Sequence, residues 1–189
     1  MAQAKTLNER EVKKVLSNIA MGKHAARNRA MLLMTHWCGM RVGEVAALKI
    51  GDVWSIDGGI HAEVRLNAEQ TKGKHARTVY LPEKLRKELI AYVAGIDRSD
   101  TTKALFYTQK RRSGFTANTL SQFFHYLYKN AAIDGASSHS GRRSFITTLA
   151  SKGVGVRVLQ KICGHANIST TQAYIDVNDE MLRNAVALI

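Results

Sequence analysis

The sequence predicts an α+β fold, mainly α, with a small antiparallel sheet, and three observations carry that prediction. Apolar residues recur at helical spacing in the first quarter of the chain and again after residue 82. Between those stretches, His61-Ala62-Glu63-Val64-Arg65-Leu66 and Thr78-Val79-Tyr80-Leu81 have the make-up of two short strands. The only proline, Pro82, follows the second strand, where its fixed φ suits the first position of a helix.

Each element has its own signal. Thr6-Leu7-Asn8-Glu9 has the form of a capping box, and Val12, Val15, Leu16 and Ile19 follow on one helical face. Met31-Leu32-Leu33-Met34 with Trp37 reads as a largely buried helix ending near Gly39, and Arg41 begins the next element. Asp57-Gly58-Gly59 marks a turn before the first strand, and Lys72 falls on the exposed connection between the strands. After Pro82, Leu85, Leu89, Ile90 and Val93 form a core stripe. Ala104-Leu105-Phe106-Tyr107 is a short buried segment, and Thr116 caps a helix containing Leu120, Phe123, Phe124 and Leu127. Ser137 or Ser138 caps the helix holding His139, and Val154 to Cys163 forms the next one. Ser169-Thr170-Thr171 starts the segment with Tyr174, and Asp179 leads a last apolar helix of Met181, Leu182, Ala185, Val186 and Leu188. With no repeat, low-complexity tract or linker, one domain over 1–189 is expected.

Composition narrows the function. A net charge of +13 on 189 residues, 45% of them hydrophobic, suits a globular domain that attracts a polyanion and releases its counterions on binding, so nucleic acid is the expected partner. An acidic membrane surface fits less well, because the basic residues are dispersed instead of gathered in one amphipathic segment. No apolar run approaches the roughly 20 residues needed to cross a bilayer, and polar Gln3, Lys5, Asn8 and Glu9 replace a signal-peptide core, so a cytoplasmic location is expected. Cys38 and Cys163 stand far apart without further soft ligands and read as reduced packing residues, not a disulfide framework or a zinc site. No Walker sequence and no acidic cluster for paired magnesium ions is present, so neither cofactor nor metal is expected.

The tail carries the chemistry. Displacement at a phosphodiester builds negative charge on the non-bridging oxygens, and a guanidinium holds two such oxygens at once where lysine offers a point charge. His139 and Arg142 are three residues apart and share a face if the segment is helical. Tyr174 follows Gly164-His165 by nine residues and suits a nucleophile on a terminal segment. Phenol reacts poorly at its free pKa of roughly 10, so it needs cationic neighbours or a base to react near neutrality. Taken singly, each residue has a plainer reading. Arg41 could pair with Glu44, the Lys72 hairpin with Lys74 and Arg77 could grip DNA without chemistry, His165 could be a satisfied core histidine, and Tyr174 a packed aromatic.

Four ordered motifs change that ranking, because together they resemble the tyrosine recombinase family, the phage integrases and their chromosomal relatives. Gly39-Met40-Arg41-Val42-Gly43-Glu44-Val45-Ala46-Ala47-Leu48 is similar to the first arginine box, with Glu44 at its acidic position. Thr71-Lys72-Gly73-Lys74-His75-Ala76-Arg77-Thr78-Val79-Tyr80-Leu81 resembles the hairpin carrying the active-site lysine, which by position is Lys72. His139-Ser140-Gly141-Arg142 resembles the histidine-x-x-arginine box, and the run from Cys163-Gly164-His165 to Tyr174 resembles the last one. The resemblance runs from about Thr6 to the end. It departs at Gly141-Arg142-Arg143, where relatives carry Leu-Arg-His, and in lacking the helical DNA-clamping domain that full-length members place before the catalytic one.

The resemblance implies a catalytic domain that cleaves and rejoins double-stranded DNA at specific sites through a 3′-phosphotyrosyl link made by Tyr174. It implies that Arg41 and Arg142 stabilise the transition state, Lys72 protonates the departing 5′-oxygen, and His139 and His165 assist proton transfer and phosphate binding. Glu44 supports Arg41 or His139. Protomers would assemble as a homotetramer on paired sites in the nucleoid, with the last helix exchanged between neighbours in preference to folding back on its own core. Relaxation of DNA in the manner of a type IB topoisomerase and regulation by DNA binding without chemistry are the competing readings. Monomeric plasmid relaxation would mark the first, and activity surviving Tyr174→Phe the second.

Overall fold

The structure is a computed structural model of the chain. It describes residues 4–189 apart from 72, 110–112, 176, 178 and 188 and the side chain of 180, so the expectations for Lys72 and Leu188 fall outside the described residues. Its helices surround one core, with a two-stranded antiparallel sheet on one side.

The first helix, α1 (Glu9–Ala20), starts two residues later than the Thr6 box implies. Asn8 is its cap, accepting from the Glu11 amide at 2.9 Å while its own amide donates to Glu11 Oε2 at 3.0 Å. Asparagine caps better than threonine, and this start buries Leu7 with Val12 on the core side. Thr6 instead accepts from Arg143 Nε at 3.0 Å. Helix α2 (Ala25–Cys38) is the hub: Ala30 to Thr35 are wholly buried, as required of a helix packed against α1 and further helices on other sides. It ends at Gly39 in the left-handed conformation, φ 61°.

Arg41 caps α3 (Val42–Ala46), followed by the single turn α4 (Ile50–Val53). Strands β1 (Glu63–Leu66) and β2 (Arg77–Tyr80) pair Val64 with Val79 and Leu66 with Arg77, which turns Val64, Leu66 and Val79 into the core. Pro82 stands one position before α5 (Glu83–Val93), as its cap. The stripe of α5 is Leu85, Leu89, Tyr92 and Val93; Ile90 is half-exposed, because its place on the helix points away from the i, i+4, i+7, i+8 face. Tyr92 satisfies its buried hydroxyl by donating to the Leu105 carbonyl at 2.7 Å, inside the short buried segment expected there. Helix α6 (Ala117–Asn130) is capped by Thr116 as expected, with Leu120, Phe124 and Leu127 buried.

The site comes from the last part of the chain. Helix α7 (Ser140–Ser151) packs on α2, α8 (Val156–Cys163) follows it, and α9 (Ile168–Gln172) and α10 (Asp179–Val186) close the fold. Neither serine expected to cap α7 does so; His139 is at that position, with the Ser140 hydroxyl accepting from the Ser137 amide at 2.9 Å. Gly141 sits where α7 crosses α2: a Cβ there would stand 2.2 Å from Thr35 Oγ1. The departure at Gly141 is therefore the condition for close contact between the two helices.

Candidate active site

The C-terminus of α8 organises the site. A helix leaves its last carbonyls without partners and carries partial negative charge there. Three successive carbonyls receive three arginines from distant segments: Ile162 accepts from Arg77 Nη1 at 2.8 Å, Cys163 from Arg142 Nη2 at 2.8 Å, and Gly164 from Arg41 Nη2 at 3.2 Å. Gly164 takes the left-handed conformation, φ 62°, that ends α8 and exposes this row, and a Cβ on it would meet Arg77 Cδ at 2.7 Å. Arg142 also donates to the Gly39 carbonyl, tying α7 to the end of α2.

Glu44 is the only carboxylate in this cluster among the described residues. Arg77 grips it with two donors, Nε to Oε1 at 3.1 Å and Nη2 to Oε2 at 2.6 Å. Arg41 adds Nη1 to Oε1 at 2.9 Å and its backbone amide to Oε2 at 2.8 Å. Burial alone would raise the carboxyl's pKa, but the hydrogen bonds and charge of Arg77, and then those of Arg41, outweigh it and hold Glu44 below its ordinary value. It is ionised near neutrality and is bonded to both the side chain and the backbone amide of Arg41; no contact with His139 accompanies this among the bonds of Glu44 described.

His165 lies buried between Arg142 and Thr171. Arg142 Nη2 stands 2.7 Å from His165 Nε2, and His165 Nδ1 stands 2.9 Å from Thr171 Oγ1. A guanidinium only donates, so Nε2 accepts, the proton resides on Nδ1, and the ring is neutral. Burial first, then the charge of Arg142, pushes its pKa down to about 4. Burial also draws Arg142 down to about 10, still protonated near neutrality. Tyr174 stacks on His165, ring centroids 5.8 Å apart and planes inclined by 16°, while Arg143 Cζ lies 5.6 Å from the Tyr174 ring centroid on a different contact.

The structure thus joins Arg41, Glu44, Arg142 and His165 in one hydrogen-bonded group, with Tyr174 against it. His139 is exposed at the head of α7, one turn before Arg142, and is not among the described residues lining the cavity. That cavity, about 790 Å³, opens on Arg41, His75, Arg77, Arg157, Lys161 and His165, with no carboxylate among its described lining. Neither Arg142 nor Tyr174 is among its described lining. Cys38 and Cys163 are buried and free, as expected of packing residues. Arg77 and Thr171 are the participants that sequence reasoning missed as such. Arg77 was visible only as one of several basic hairpin residues, since its partners lie 33 and 85 residues away.

A mainly helical domain that gathers arginines and a histidine from separated segments beside a C-terminal tyrosine is the architecture of a tyrosine recombinase catalytic domain. The family model described as the phage integrase family matches residues 5–181, and the chain belongs to that family. It is 35% identical over 185 residues to the tyrosine recombinase XerA of Thermococcus kodakarensis, covering 96% of this chain and 61% of that protein. To XerA of Pyrococcus furiosus it is 32% identical over 184 residues, covering 96% and 60%. The crystal structure of a XerA recombinase superposes with a TM-score of 0.77 at 28% identity, over 100% of this chain and 66% of that one. That of the XerH site-specific recombinase bound to palindromic difH substrate, a post-cleavage complex, gives 0.72 at 25% identity, over 96% and 52%. The chain spans about 60% of the length of these curated relatives. No helix among the described residues is long and apolar enough to cross a membrane.

Proposed function

We propose that this chain is the catalytic domain of a site-specific DNA recombinase that cleaves one strand through Tyr174 and rejoins it to another. The observation that carries the reading is the convergence of Arg41, Arg142 and His165 on the end of α8, with Tyr174 stacked on His165. Charge arranged in advance around a developing phosphorane is generally the largest catalytic contribution. In the proposed step the Tyr174 oxygen bonds to phosphorus, the bond from phosphorus to the 5′-oxygen breaks, and that oxygen takes a proton from Lys72. The phenolic proton leaves through His139, while His165, neutral and with its Nε2 lone pair held by Arg142, serves phosphate binding by orienting that guanidinium. Arg41 and Arg142 hold the non-bridging oxygens, Glu44 orients Arg41, and no metal is used. Attack by another strand's 5′-hydroxyl reverses the step and conserves the bond energy.

The XerH complex with a palindromic difH substrate supports double-stranded DNA as substrate, and we place the chain in the cytoplasm on the nucleoid. We extend the proposal to a homotetramer on paired sites with α10 exchanged between protomers. In its support, Leu182 and Val186 of α10 are exposed, and a cleft of about 480 Å³ remains between Met181 and Ala185 and the junction of α7 with α8. Truncation after Asp179 should abolish cooperative assembly; unchanged synapsis would remove the exchange from the account. The catalytic reading is tested with nicked duplexes of randomised sequence, which trap a covalent intermediate because the short cleaved strand diffuses away. A detergent-resistant adduct with the native chain and none with Tyr174→Phe is expected. No adduct with either, or equal adduct with both, would refute it.

A further inference from the structure

We infer that Arg77 is a positioning residue of this site, the countercharge that occupies Glu44 and thereby leaves the charge of Arg41 available to a phosphate; the inference rests on the proposed function above. Arg77 touches three separated segments at once: it belongs to β2, holds Glu44 of α3 by both carboxylate oxygens, and donates to the Ile162 carbonyl at the end of α8. Its side chain is 9% exposed and that of Glu44 1%, whereas Arg41 retains 26%. Arg41 and Arg77 both line the cavity; Arg77 commits Nε, Nη1 and Nη2 to Glu44 and Ile162, whereas Arg41 commits Nη1 to Glu44 and Nη2 to Gly164, keeps Nε clear of both among the bonds described, and is the more open of the two towards a ligand.

The charges explain the arrangement. Arg41, Arg77 and Arg142 against Glu44 leave two net positive charges beside a neutral His165. Without Arg77 a single net charge remains, and Glu44 has only Arg41 to pair with, which draws Arg41 away from the cavity. Glu44 is needed in turn, because it takes the Arg41 amide at the head of α3 and fixes where that side chain begins. A carboxylate close to a phosphate site is repulsive unless neutralised, and the bidentate grip of a second arginine does this with fixed geometry.

Binding of inorganic phosphate at pH 7 and constant ionic strength, read from the His165 ring resonances by NMR, tests this in a double-mutant cycle. R77Q should weaken phosphate about tenfold, and R77Q/E44Q, which restores two net charges, should recover to within about threefold of the native chain. R77K, which keeps the charge and gives up the fork, should also stay within about threefold. A double variant as weak as R77Q or weaker, which a purely structural role predicts, would overturn the inference. So would R77K as impaired as R77Q, R77Q binding like the native chain, or loss of folding in R77Q and R77K alike. A native chain whose His165 signals ignore phosphate would refute the phosphate site itself, an outcome separate from native binding with an indifferent R77Q.

Discussion

Gly141→Ala is the substitution whose effect the packing fixes most closely. In an isolated helix the change would stabilise by about 1 kcal/mol, since alanine is the better helix former. Here the new methyl would stand 2.2 Å from Thr35 Oγ1, 3.0 Å from Thr35 Cβ and 3.3 Å from the Thr35 carbonyl carbon. Thr35 has no room to yield: it is wholly buried and its hydroxyl donates to the Leu32 carbonyl at 2.7 Å. Helix α7 must therefore shift off α2 by more than an ångström. Overpacking costs about 1–3 kcal/mol, a contact as short as this one lies in the upper part of that range at about 2–3, and the helix gain of about 1 offsets part of it, so a net loss of about 1–2 kcal/mol is expected. For a chain of this size that lowers the melting temperature by roughly 2–8 °C. Because Arg142 follows in the next position and bonds Gly39 on α2, the variant should also lose phosphate-induced shifts at His165. Adding Thr35→Ala removes the nearest atom and should recover part of the stability. Calorimetry on the native chain, G141A and T35A/G141A checks this. A G141A variant more stable than the native chain would show that the α2–α7 contact is not the close one described.

Three further outcomes follow. The His165 pKa is depressed from 6.5 to about 4, so the unfolded chain takes up this proton first as pH falls, and the ring's contribution is fully retained above about pH 6.5 and lost towards pH 4. The native chain should lose about 2–3 kcal/mol more stability over that window than H165Q; parallel pH profiles of the two would contradict the neutral, buried ring. Gly164→Ala must place a side chain at φ 62° and 2.7 Å from Arg77 Cδ, so it should destabilise by about 1–3 kcal/mol and weaken phosphate binding, whereas a silent change would contradict the packing of Arg77 under the turn. Asn8→Ala removes the cap of α1 and should cost about 1 kcal/mol by denaturant melting, while Thr6→Ala leaves that cap in place; the reverse order would restore the Thr6 box.

What the sequence conveyed follows from the range of the interactions involved. The buried apolar run of α2, the stripe of α6 and the glycine stop at Gly39 rest on contacts within a few residues and were legible. So was the order of Arg41, His139, Arg142, His165 and Tyr174, because the family resemblance is carried by ordered motifs. The start of α1 was misplaced, since Thr6 and Asn8 both offer a capping pattern and only the burial of Leu7 decides between them. Ile90 was misassigned because an apolar residue beside a stripe is indistinguishable from one within it until the partner helices are known. The roles of Arg77 and Gly141 were invisible for a deeper reason: each is defined by a contact across many residues, to Glu44 and Ile162 in one case and to Thr35 in the other, and neither leaves a local period.

The central claim is that Tyr174 forms the bond to DNA, and its most direct test is the site of attachment. The native chain is reacted with a nicked duplex pool, digested with nuclease and protease, and the modified peptide is sequenced by mass spectrometry. The account predicts a phosphonucleotide on Tyr174 and on no other residue, with native Arg41 and Arg142 both needed for its formation. A phosphonucleotide on a different tyrosine or on a serine, with Tyr174 unmodified, would contradict it.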